Sequence, residues 1–219
     1  PFPVAAYLKD LPFVEIQGKR YRFLNNVGFG IDGYCCEVGD ELKATSVKAV
    51  NYTSIAIKGL LAPGDHVITT ALEHNSVLRP LYHLKNHRGI EYDICPLDGG
   101  EITPQRIASL LRPNTRAVVV TAASNVTGYS PDITQIRKAL PDNVLLICDG
   151  AQGGGHLPLK MSAMGIDALC LAGHKGLHGI QGSGALFLSE RANPTPLLFG
   201  GTGSMSYAAE MPDFLPDGL

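Results

Sequence analysis

Neither sign of charge dominates this chain: 18 Lys and Arg stand against 20 Asp and Glu, a formal net charge of −2. A basic field of the kind that holds nucleic acid is absent, so no nucleic-acid partner is expected. No apolar run is long enough to cross a bilayer, so no membrane span is expected. The opening residues, PFPVAAYLKD, have neither the basic region nor the long apolar core of a signal peptide, and they lack an initiator Met. The chain therefore reads as a fragment or a processed product. A disulfide framework is missing too. The five cysteines (Cys35, Cys36, Cys95, Cys148 and Cys170) are odd in number and follow no framework spacing, and three lie inside apolar runs. Reduced thiols and a cytoplasmic location are expected. The adjacent pair Cys35-Cys36 has no metal-ligand spacing and reads as structural. There is no internal repeat, no low-complexity segment and no Ser/Gly-rich linker.

What is present is an ordinary globular composition, 45% hydrophobic and 17% charged, in a chain long enough to bury a sizeable core. The pattern changes near residue 61. Beyond it, strands and helices alternate. HVITTA (66–71) reads as a strand and 74–87 as an amphipathic helix. EYDICPL (91–97) is a strand, and 103–111 is a helix with Thr103 as N-cap and Pro104 at its first position. RAVVVTAAS (116–124) is a nearly all-apolar strand, as a buried parallel sheet requires. A helix follows over 131–140. The strands 144–151, 167–173 and 184–189 complete the series. This alternation predicts an α/β fold with a mostly parallel sheet, of the seven-stranded type, flanked by helices. The first sixty residues differ. Their aromatic, β-branched and glycine-punctuated stretches suggest strands and turns, and 47–61 reads as a helix with Val47, Val50, Ile57 and Leu61 near one face.

In open parallel sheets, ligands sit beyond the carboxyl ends of the strands. Four segments bring polar residues to those ends: Glu73 to Ser76, Ser124-Asn125, Asp149 to Gln152, and His174-Lys175. Chance would scatter such groups over both edges. Lys175 ends a strand and enters the glycine-rich loop GHKGLHGIQGSG, where an amine can be partly desolvated and nucleophilic; a lone lysine there would read as a surface residue. Asp149 emerges from the apolar run VLLIC and needs a partner. A protonated ring nitrogen is one such partner, and a helix start or a metal ion are others, with His156 as the sole supporting ligand. Taken singly, Gln152, Asn125 and His74 read as caps or packing residues. Together with Lys175 and Asp149 they describe the surroundings of one flat, anionic group.

The segments ALEHNSVLRPLYHL, TAASNVTGYSPDI, LLICDGAQGGGHLPL, DALCLAGHKGLHGIQGSGALFL and PLLFGGTGSMS resemble, in order and spacing, the successive motifs of class V aminotransferase-fold enzymes. Within these they most resemble the cysteine desulfurase and selenocysteine lyase group. The resemblance covers about residues 55–219. It implies a pyridoxal 5'-phosphate (PLP) cofactor, with Lys175 as the Schiff-base lysine and Asp149 as the partner of the pyridine nitrogen. It further implies Gln152 and Asn125 at the phenolic oxygen, His74 stacked on the ring, and His174 on the phosphate. The implied catalytic residues are Lys175, Asp149 and His74. The implied reaction is conversion of L-cysteine to L-alanine with sulfur transfer, in a homodimeric enzyme that passes sulfur to an acceptor protein. Selenocysteine cleavage, transamination and a non-catalytic fragment or chimera are the alternatives.

Three departures from the family pattern stand out. Many members have a serine where Ala172 stands. The stretch TSVKAVNYTS does not match the family's threonine-rich phosphate loop. The chain ends at MPDFLPDGL, where the family continues into a further domain with the sulfur-accepting cysteine and the substrate-carboxylate arginine. The expectation is therefore a PLP-binding large domain over 61–219 that lacks its C-terminal domain and is inactive alone. It follows an N-terminal segment, 1–60, in which KRYRFLNNVGFGIDGYCCEVGD and KAVNYTSIAIKGLL resemble part of the diacylglycerol-kinase-like lipid kinases.

Overall fold

The computed structural model describes residues 13–16, 19–22, 52–180 and 182–195. Two short strands near the N-terminus, β1 (Phe13–Ile16) and β2 (Lys19–Arg22), pair antiparallel. The main body begins with helix α1 (Tyr52–Leu60) and strand β3 (His66–Thr70). Helix α2 (Asn75–Arg88), β4 (Glu91–Cys95), α3 (Pro104–Ser109) and β5 (Thr115–Thr121) follow. Then come α4 (Ile133–Lys138), β6 (Leu145–Asp149), the single turn α5 (Met161–Met164), β7 (Ala168–Ala172) and β8 (Gly184–Leu188).

Among the described residues the main sheet has six strands in the order β4-β3-β5-β6-β7-β8. All neighbours are parallel except β7 and β8. The expected mostly parallel sheet is present, and every strand read from the sequence beyond residue 61 is found. The strands are shorter than their apolar runs. RAVVVTAAS, for example, pairs only as far as Thr121, because the chain turns away to build the loop through Asn125. Of the helix expected over 47–61, residues 52–60 are helical and 47–51 lie outside the described residues.

Side chains alternate across a strand, so each strand feeds both faces of the sheet. On β6, Leu145 and Ile147 join one core cluster with Ile55, Ile57 and Leu60 of α1 and Val77, Leu81 and Leu84 of α2. Leu146 and Cys148 join the other, with Ile107 of α3 and Ile133 and Ile136 of α4. This gives three layers, with the sheet between α1/α2 and α3/α4. Because β6 is buried along its whole length, its polar residue has to stand at its end. The helix ends follow local chemistry. Thr103 and Asp132 accept hydrogen bonds from Arg106 N and Gln135 N as N-caps, and Gly89 closes α2 at φ 66°.

The amino ends of the strands are held by charge instead. Arg112 reaches Glu91 at 2.5 Å and Asp93 at 2.6 Å, while the buried His66 accepts or donates through Nδ1 to Thr115 Oγ1 at 2.8 Å. Burial, and next the Arg112 charge, push the His66 imidazole below its ordinary value. This network lies at the opposite edge from the polar clusters singled out above.

The turn carrying Lys175 is seated on the segment after β6 by two glycines. Gly155 adopts φ +82°, and a Cβ there would fall on the Gly176 carbonyl; a Cβ on Gly176 would fall on the Gly154 carbonyl oxygen. Neither clash with backbone can be relieved by a rotamer change. Gly155→Ala is expected to destabilise the protein by about 1–3 kcal/mol, read as a lower urea midpoint, and to speed amide exchange at Gly176 and Leu177. Unchanged midpoint and exchange would show that the two segments are not held by this approach.

Candidate active site

The chain runs outward from β3 to the edge strand β4, then crosses back to β5 on the other side of β3 and continues outward through β6 and β7. The strand order therefore reverses between β3 and β5. A crevice opens at the carboxyl ends of the strands at such a switch point. Beside it, at the carboxyl ends of β6 and β7, is a cleft of about 360 Å3 lined by Tyr52, Thr53, His74, Ser76, Asp149, Ala151, Cys170, Leu171, Ala172, His174, Lys175, Gly182 and Ser183. A smaller recess adjoins it. The recess shares His74, Ser76, Asp149, Ala151 and Lys175, and adds Thr121, Ala123, Asn125 and Gln152. All six residues expected from the sequence, Lys175, Asp149, His74, Gln152, Asn125 and His174, line one or both cavities.

The placement of Asp149 follows from strand parity. Thr121, Asp149 and Cys170 lie abreast in register on β5, β6 and β7. Asp149 falls on the same face as Leu145 and Ile147, the α2 side. Its carboxylate is 2% exposed and therefore needs partners. Oδ1 accepts from Ala151 N at 3.0 Å, and Oδ2 accepts from Ser76 Oγ, in the first turn of α2, at 3.3 Å. His74 is the N-cap of that helix. Its Nδ1 accepts from Ser76 N at 3.1 Å, which holds the exposed ring at the mouth of the cleft. Lys175 is half-buried in the turn after β7, closed by His178 N donating to Lys175 O at 2.9 Å.

Two groups of this site were not assigned roles from the sequence. Ser76 lay within the recognised polar cluster, and its position two residues after a histidine N-cap was the available signal. Glu73 belonged to the same cluster, but nothing in the sequence distinguished a buried acid there from one that faces water. It is buried, with Oε1 accepting from Thr70 Oγ1 at 2.7 Å and from Thr121 N at 2.8 Å, while Oε2 has no hydrogen-bond partner among the described residues. Burial, with a smaller contribution from the Asp149 charge, pushes its carboxyl up to about 8. Glu73 thus holds a proton at neutral pH beside Asp149.

The cleft fits a flat, polar ring. It offers a buried carboxylate at its base, an amine on one side, an aromatic ring at its mouth, and hydroxyl groups of Thr53, Ser76 and Ser183 around it. The aminotransferase class-V family profile matches residues 42–211. The chain belongs to the class-V aminotransferase family. It is 31% identical over 169 residues to cysteine desulfurase IscS of Dictyoglomus turgidum, covering 74% of this chain and 42% of that protein. It is 34% identical over 157 residues to putative cysteine desulfurase IscS 1 of Bacillus subtilis, covering 70% and 40%. Among solved structures, the apo cysteine desulfurase of Thermococcus onnurineus superposes with a TM-score of 0.63 at 24% identity, covering 78% of this chain and 46% of that one. The cystine C-S lyase C-DES, in complex with its reaction product cysteine persulfide, gives 0.59 at 25% identity, with 74% and 49% covered.

This class-V chain therefore spans about four-tenths of the length of those relatives. A related C-DES structure carries glycine covalently linked to its PLP cofactor, and membership of the class-V family indicates PLP as the cofactor here. The family match begins at residue 42, and α1 is part of the class-V core through its buried face against α2, β7 and β8. Most of the segment read as similar to lipid kinases lies outside the described residues.

The Glu73 carboxyl sets a pH dependence. Its folded value, about 8, lies above its ordinary value of 4.5. The native state then retains a proton that the unfolded chain releases, so its contribution to stability is complete below about pH 4.5 and is lost as pH rises towards 8. Glu73→Gln, which cannot ionise, is expected to remove a stability loss of a few kcal/mol between pH 5 and pH 8. Urea unfolding at both pH values checks this. The same pH dependence in wild type and variant would show that Glu73 is not the titrating group.

Proposed function

We propose that this chain carries the PLP-binding part of a cysteine desulfurase-type enzyme, acting in the cytoplasm as a homodimer. The reaction is conversion of L-cysteine to L-alanine with transfer of sulfur to an acceptor. The observation that carries the reading is the meeting of Lys175, Asp149 and His74 on one cleft at the carboxyl ends of the strands. The 31–34% identity to cysteine desulfurases over most of this chain supports the same reaction.

When bound, PLP supplies an electron sink for the carbanion at the substrate Cα. The chain's own residues do the rest. Lys175 provides the amine that attaches the cofactor and that afterwards moves a proton at the substrate carbon. Asp149 would hold the ring nitrogen and favour its protonated form, His74 would stack on the ring, Gln152 and Asn125 would donate to the phenolic oxygen from the adjoining recess, and His174 would bind the phosphate. Sulfur leaves to a thiol other than Cys95, Cys148 or Cys170. All three are buried, and burial pushes the Cys148 thiol far above the usual range and the Cys95 thiol above it. A buried neutral thiol is inert as a nucleophile.

Incubation with PLP followed by borohydride is expected to attach the cofactor to the peptide containing Lys175, and Lys175→Ala to abolish that label while leaving the fold intact. Asp149→Ala is expected to weaken PLP binding about tenfold to a hundredfold, the cost of losing a charged hydrogen bond. A label confined to other lysines, or unchanged affinity in the Asp149 variant, would overturn the assignment.

A further inference from the structure

Away from the cleft, the exposed face of α2 carries two histidines one helical turn apart. The other face of the helix is fixed by Val77, Leu81 and Leu84, which pack into the core, and Gly89 stops the helix at φ 66°. His83 and His87 are separated by four positions, so they project side by side, and both are exposed. Their rings are neighbours, with centroids 4.5 Å apart and planes tilted by 40°.

The ring spacing suits chelation. Two imidazoles bound through nitrogen at about 2.0 Å, with a right angle between the two bonds, have centroids about 4.5 Å apart; a tetrahedral angle sets them about 5 Å apart. The place in the helix suits a cation as well. His87 lies in the last turn of α2, where unpaired carbonyls and the macrodipole favour positive charge. Arg79, Lys85 and Arg88 on the same helix repel a cation, but they are exposed and their field is screened by salt. The Lys85 ammonium stands over the Tyr92 ring, 5.6 Å from its centroid. Among the described residues no third His, Cys, Asp or Glu joins the pair, so the remaining coordination positions go to water.

We infer that His83 and His87 form a chelating pair for a late first-row divalent ion, Ni2+ or Cu2+, on the outer face of α2 and separate from the cleft. Nitrogen donors at a right angle match the square-planar and octahedral preferences of these ions, and Zn2+, with its tetrahedral preference, fits less well.

The test titrates the full chain with NiCl2 and with ZnCl2 by calorimetry near neutral pH. Wild type is expected to bind Ni2+ at this pair, and more tightly than Zn2+. His83→Ala and His87→Ala should each weaken that binding about a hundredfold, as loss of the second arm of a chelate predicts. Both side chains are exposed, so neither variant disturbs the core. In the His87→Ala background, Asn86→His restores a helix neighbour three positions from His83 and should recover binding. Lys85→His, two positions from His83, places its ring on another face and should not. No Ni2+ binding by wild type, or equal affinity in wild type and both alanine variants, would overturn the proposal. So would recovery by Lys85→His as complete as that by Asn86→His, because any added histidine would then suffice. Tighter binding of Zn2+ than of Ni2+ would overturn the assignment of the ion.

Discussion

A carboxylate at the end of a strand buried on both faces has to find partners, and Asp149 does so in a way that organises the surrounding cleft. The strand β6 is buried from Leu145 to Asp149, with aliphatic neighbours above and below. An ionised group left unpaired there would cost several kcal/mol. Its two oxygens are met by the backbone of Ala151 and the hydroxyl of Ser76. The first bond shapes the turn after β6, which leads to Gln152 and on to the glycines that seat the Lys175 turn. The second ties β6 to the start of α2 and hence to His74. One buried charge thereby fixes the relative positions of three segments far apart in sequence.

The two edges of the sheet solve different problems. At the amino edge Arg112 is shared between Glu91 and Asp93, and the buried His66 bonds Thr115, which ties β3, β4 and β5 together. At the carboxyl edge the polar groups are left with capacity to spare: Lys175 faces a cleft, and Glu73 has an oxygen without a hydrogen-bond partner among the described residues. Burial raises the Glu73 carboxyl to about 8, so this acid holds its proton at neutral pH beneath the cleft.

The sheet was readable because buried parallel strands leave little room for polar residues, and runs such as VLLIC and AVVV announce themselves. The same rule pushed polar side chains to strand ends, so Lys175, Asp149, His74, Gln152, Asn125 and His174 stood out as candidates by position, and the structure brings them to one pair of adjoining cavities. What sequence could not show was tertiary pairing. Nothing local distinguishes Ser76 from any serine in a first helical turn; its contact with Asp149 spans 73 residues. Glu73 reads as a solvated acid until the fold places the backbone of Thr121 over it. The strand ends were overextended for a related reason. Residues such as Ala122 and Ala123 suit a strand, yet the backbone leaves the ladder after Thr121 to form the loop that carries Asn125.

The central claim is that the carboxyl edge of this sheet holds one PLP molecule with its ring nitrogen at Asp149 and its aldehyde carbon at Lys175. A crystal structure of the chain grown with PLP tests it most directly. The account predicts density for the cofactor continuous with Lys175 Nζ, its ring lying against His74 and its nitrogen within hydrogen-bond distance of Asp149. Cofactor attached to a lysine elsewhere, or a ring in the cleft with its nitrogen turned away from Asp149, would contradict it.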